Sequence, residues 1–127
     1  MNKIKIAAAL LLLSSTSFAI DGSLTGSEIT VTYQEPTTNK NGSALTDLAK
    51  TTIYAKSNGT TDKIKDVNAT SATGGGTITE SFIVAVGPDQ EADVEVWATA
   101  TDVVGNESDK SASITVRVDH LAPASPQ

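Results

Sequence analysis

Apolar and polar residues alternate along this chain in short runs that break at Gly, Asn and Pro, a period of two that predicts strands with one buried face. Over residues 27–34, Ile29, Val31 and Tyr33 alternate with Glu28, Thr30, Thr32 and Gln34, and Pro36 ends the strand because it has no amide hydrogen to give a ladder. Residues 51–56 put Ile53 and Ala55 on one face and Thr52, Tyr54 and Lys56 on the other, before a turn at Ser57-Asn58-Gly59. Residues 62–70 hold Ile64 and Val67 as their large apolar side chains and read as a short edge strand or a loop. Residues 77–86 form a strand in which Ile78, Phe82 and Val84 compete with Ile83 and Val86 for the core, the face depending on a bulge.

The last third is the clearest. Val94, Val96, Ala98 and Ala100 oppose Glu95, Trp97, Thr99 and Thr101, Val103-Val104-Gly105-Asn106 turns the chain, and residues 111–118 return with Ala112, Ile114, Val116 and Val118 inward. Residues 21–25 offer a seventh strand that Gly22 and Gly26 make weak. No segment carries a helical period, and Leu45 and Leu48 are expected to plug the end of the core. Six to seven short strands with turns at this spacing predict an all-β protein, a two-sheet antiparallel sandwich.

Residues 1–19 read as a secretory signal peptide: Lys3 and Lys5 precede an apolar run from Ile6 to Leu13, and Ser17-Phe18-Ala19 places small residues at the cleavage positions. The run is short of the roughly 20 residues that span a bilayer, so no membrane association is expected after cleavage. Export to a periplasmic or extracellular location follows, with a mature chain starting at Ile20. Removing 19 of 127 residues leaves 108, one domain over residues 20–120 with a Pro-containing tail at 121–127. The leader carries two lysines and no acids, so the net charge of −6 becomes −8, which disfavours nucleic acid and anionic surfaces as partners. With no cysteine, the fold relies on its core rather than on disulfides.

Three stretches resemble fibronectin type III-like modules, a branch of the immunoglobulin-like β-sandwiches, as they occur in bacterial secreted proteins. YQEPTTNKNGSALTDLAKTTIY matches a strand, a Pro-containing polar loop, Gly-x-x-Leu-x-x-Leu and an Ile-Tyr strand. Ala100, Asp102, Gly105, Asn106 and Ser108 match the Ala-x-Asp-x-x-Gly-Asn-x-Ser turn. Val118, Asp119, Ala122, Pro123 and Pro126 match the linker that joins such modules in arrays. The resemblance covers roughly residues 29–126. It implies a non-catalytic module that mediates adhesion or protein binding, or serves as a spacer. Two positions depart from the family: Tyr33 occupies the strand that usually carries Trp, and Val94 stands where a Tyr usually supplies a corner hydrogen bond.

Chemistry is sparse. One His and no Cys cannot close a zinc or copper site, and His120, beside the Pro-containing tail, reads as a solvated linker residue rather than a catalytic base. Acid pairs such as Glu91/Asp93 and Asp93/Glu95 share a strand face and read as solubilising rather than as glycosidase carboxylates. No enzyme and no cofactor are expected. Asp102, Asn106, Glu107 and Asp109 crowd one loop and are weak calcium candidates, against the alternative that Gly-Asn makes a tight turn capped by Asp102. Four Asn-x-Ser/Thr sequons begin at Asn41, Asn58, Asn68 and Asn106, the number chance yields in a chain this rich in Ser and Thr.

The sharpest expectation concerns Tyr54 and Trp97. Period two places both on the face opposite the core, on neighbouring strands, flanked by Lys56 and Glu95. They form an exposed aromatic pair for a protein or carbohydrate partner, unless a one-residue bulge turns Trp97 into the core. The rival to this docking face is a structural role, in which a free edge strand pairs with another chain. A docking module is expected to be a monomer.

Overall fold

The computed structural model describes residues 20–127, so the expected leader lies outside the described residues. Seven strands follow one another: β1 Ile20–Thr25, β2 Glu28–Gln34, β3 Leu48–Ser57, β4 Thr60–Asn68, β5 Thr77–Ile83, β6 Glu91–Asp102 and β7 Ile114–Asp119. They form two antiparallel sheets, one ordered β1-β2-β5 and the other β4-β3-β6-β7. Among the described residues there is no helix.

The sandwich forms because alternation gives each sheet one apolar face. Ile29, Val31 and Tyr33 from β2, Ile53 and Ala55 from β3, Val94, Val96 and Ala98 from β6, and Val118 from β7 meet in one buried cluster. Burying side chains such as Ile29, Ile53 and Val94 contributes roughly 1.5–3 kcal/mol each relative to exposure. Leu45, Leu48 and Ala100 make a second, smaller cluster, the end plug that the loop leucines predict. Tyr33 is buried, and its hydroxyl shares a 2.7 Å hydrogen bond with Thr51 of the opposite sheet.

Turn chemistry fixes the registers. Ser57 pairs with Thr60 across Asn58 and Gly59, both at positive φ, the I′ hairpin that matches strand twist. The hairpin carries the polar stretch after it into β4, so residues 60–68 form a full edge strand and not a loop. β1 is likewise a full strand. A Cβ at Gly22 would run into Cδ1 of Ile114, so the glycine that weakens the strand signal lets β1 settle against β7. On the opposite side of the sandwich, Lys65 of β4 reaches Glu80 of β5 at 2.6 Å and ties the two sheets together.

Three local expectations are corrected. The last strand begins at Ile114, not 111, and Ala112 is exposed. The hydroxyls of Ser111 and Ser108 accept hydrogen bonds from the amides of Ala98 and Ala100, displacing the strand ladder over that stretch. β5 stops at Ile83, which is exposed, while Ile78 and Phe82 face the core. His120 is a half-buried, bonded residue rather than a free linker one. Its Nδ1 donates to the Val86 carbonyl at 2.9 Å, its Nε2 shares a 2.9 Å hydrogen bond with the Ser27 hydroxyl, and its backbone pairs with Asp89 and Gln90. The ring thus pins the β1–β2 turn and the β5–β6 connection to the end of β7, and residues 121–127 continue beyond it without strand structure.

Candidate functional site

The β3–β6 register sets Tyr54 directly opposite Trp97 and Lys56 opposite Glu95. All four side chains project from the outer face of the four-stranded sheet, where the two rings stack with centroids 5.9 Å apart and planes 14° apart. Such a pair contributes about 0.5–1.5 kcal/mol beyond area burial. No bulge intervenes at Trp97: the irregularities along β3 lie between Leu48 and Lys50 against β6, and between Ile53 and Tyr54 against β4.

Neither sequence alternative describes the indole fully. Trp97 stands on the outer face, outside the core clusters, yet it is only 8% exposed. The expected open pair is corrected to a covered one. Tyr54 covers one flank of the indole, and the Lys110 ammonium lies 4.4 Å from the ring centre. A cation over an indole contributes about 0.5–1 kcal/mol at a surface. Lys110 also reaches Glu95 at 3.4 Å. The Glu95 carboxyl is held below the usual range, first by the Ser113 hydroxyl and then by Lys110.

Tyr54 is half-buried and lines a shallow groove of about 350 Å³ with Thr52, Lys50, Lys63, Asp66 and Glu107. Asp66 accepts from the Thr52 hydroxyl at 2.8 Å and from Lys50 and Lys63 at 3.2 and 3.3 Å, and these bonds pull its carboxyl down to about 2. Glu107 enters from the β6–β7 connection and accepts from Thr99 Oγ1 at 2.6 Å and Tyr54 Oη at 2.7 Å. These bonds hold Glu107 below the usual carboxylate range and push the Tyr54 phenol up.

The calcium candidates are separately engaged. Asp102 accepts from the amides of Val104 and Asn106 and from the Asn106 side chain, the local cap of a tight turn. Glu107 serves Tyr54 and Thr99, and Asp109 pairs with Lys40 at 3.0 Å. Among the described residues no three His, Cys, Asp or Glu are grouped to hold a metal ion. The loop instead presents Val103 and Val104, 67% and 77% exposed, at its tip. Beside it, a cleft of about 900 Å³ opens over Leu45, Leu48 and Ala100, with Lys40 and Asp109 on its rim.

Strand alternation brings together Tyr54, Trp97, Lys56 and Glu95. Period two carries no signal for Lys110 and Glu107, which arrive from irregular segments. Neither a family model nor a curated protein matches this chain.

Proposed function

We propose that the chain is an exported, non-catalytic interaction module of the fibronectin type III kind, docking a protein or carbohydrate partner on the outer face of its four-stranded sheet. The observation that carries this reading is the stacked Tyr54–Trp97 pair, large aromatic surface placed on an outer strand face rather than in the core. Aromatic side chains supply much of the binding energy where surfaces meet. Tyr54 keeps part of its ring beside a polar groove, the mix of stacking surface and hydrogen-bonding groups that a sugar or peptide needs. The three-and-four strand division supports the family assignment, whereas buried Tyr33, on the strand that usually carries Trp, departs from it. Val94 is buried without a hydroxyl, so the corner hydrogen bond of the family has no counterpart at that position.

β4, one of the four edge strands, is a poor site for pairing with another chain. Its Lys65 points toward the opposite sheet to reach Glu80, and Lys63 is exposed, devices that deter pairing with another chain. A monomer is the proposed state of such a docking module.

The experiment is a panel of immobilised glycans and exported proteins probed with the native chain, Tyr54→Ser and Ile83→Ser, with mass measured by light scattering. Binding lost in Tyr54→Ser and kept in Ile83→Ser, by a monomer, supports the reading. Equal binding by both variants, or a stable oligomer, removes it.

A further inference from the structure

The outer face of β6 carries Glu91, Asp93, Glu95 and Trp97 at successive alternate positions. Three cations face them, and Lys56 on β3 stands directly opposite Glu95. Arg117 on β7 serves Glu91 and Asp93. Lys110 serves Glu95 and covers Trp97, and it comes from the irregular segment between β6 and β7, with its side chain 54% exposed. The indole face and the Glu95 carboxyl thus build a seat whose chemistry is displayed by what fills it, an ammonium group of the chain itself.

We propose that this seat takes a cationic side chain of a protein partner, an arginine in an extended segment, and that Lys110 is its displaceable placeholder. The proposal rests on the outer sheet face being the docking surface and names the chemistry docked there. Arginine fits better than the resident lysine, because a planar guanidinium stacks on the indole while its fork engages both oxygens of Glu95. Lys110 meets that carboxyl at a long 3.4 Å. Displacing it is inexpensive, since exposed lysine pairs are weak and the freed side chain regains rotamer freedom. An extended segment fits because Asp93 and Glu95 are two residues apart on one strand face, about the 7 Å repeat of a second extended chain. The net charge of −6 attracts such a segment over distance.

The test uses the purified full chain and a capped peptide of alternating Thr and Arg, with Thr-Glu and neutral oligosaccharide probes beside it. The chain has one Trp, so the indole N–H gives one resonance to follow by NMR. The expected result is a saturable shift of that resonance with the Arg peptide. Lys110→Ala is expected to tighten binding about threefold. Lys40→Ala, which removes an equal charge from an exposed pair with Asp109, is expected to tighten it far less. Glu95→Gln is expected to weaken it about tenfold, as loss of a charged hydrogen bond does. An unmoved indole, equal gains from Lys110→Ala and Lys40→Ala, or weaker binding by Lys110→Ala overturns the proposal. A response to the oligosaccharide without one to the Arg peptide overturns the cation seat and leaves the docking face standing. Failure of the docking face itself is read separately, from Tyr54→Ser in the binding panel.

Discussion

Tyr33 Oη and Thr51 Oγ1 lie 2.7 Å apart in the space between the two sheets, one hydroxyl from each layer. Tyr33→Phe and Thr51→Val each break this buried bond and are each expected to cost about 1 kcal/mol in denaturant unfolding. The double variant is expected to cost less than the two together, because the same bond is lost in either single variant.

The two tyrosines are expected to ionise above the ordinary 10.0, for different reasons. Burial pushes the Tyr33 phenol up, whereas the hydrogen bond to Glu107 is the main cause at Tyr54. A raised folded pKa means that the associated stability is complete below pH 10.0 and declines as pH rises through the folded values. Phenolate absorbance is expected to show both transitions displaced upward. Glu107→Gln is expected to lower one of them and leave the other in place.

Glu35 is 3% exposed and binds the loop before β5, accepting from Thr70 N at 2.8 Å, Thr70 Oγ1 at 2.5 Å and Gly76 N at 3.0 Å. Glu35→Ala leaves these donors without their acceptor and is expected to cost about 2–3 kcal/mol. Amide exchange at Thr70 and Gly76 is expected to accelerate before that of the β3–β6 ladder.

Asp66 links Thr52, Lys50 and Lys63 on the exposed side of β3 and β4, and its carboxyl is lowered from an ordinary 3.8 to about 2. A lowered folded pKa contributes stability that is present above 3.8 and is lost as pH falls through about 2. Carboxyl-carbon NMR is expected to place the Asp66 midpoint near 2. Thr52→Val, which removes the first cause of the shift, is expected to raise it.

The architecture was readable wherever alternation and turn residues agreed. Ile29, Val31 and Tyr33 are buried as period two requires, and Asn58-Gly59 turns as its chemistry requires. Reading failed where side chains replaced the backbone: Ser108 and Ser111 stand in for ladder carbonyls and delay β7 to Ile114. It failed at Gly22 because the Ile114 side chain that needs its missing Cβ is 92 residues away. At the site, the strand-borne pair was legible, while the groups that cover and bind it, Lys110 and Glu107, come from loops whose paths no short-range pattern encodes. His120 was misread for the same reason, its partners Ser27 and Val86 being contributed by distant connections.

The most direct test of the account is collisional quenching of the single tryptophan in the native chain and in Lys110→Ala. Trp97 is expected to be shielded from acrylamide in the native chain and to become accessible in Lys110→Ala, with unchanged unfolding cooperativity, as befits an outward ring under a lysine cap. Free access in the native chain, or shielding that persists without Lys110, contradicts it.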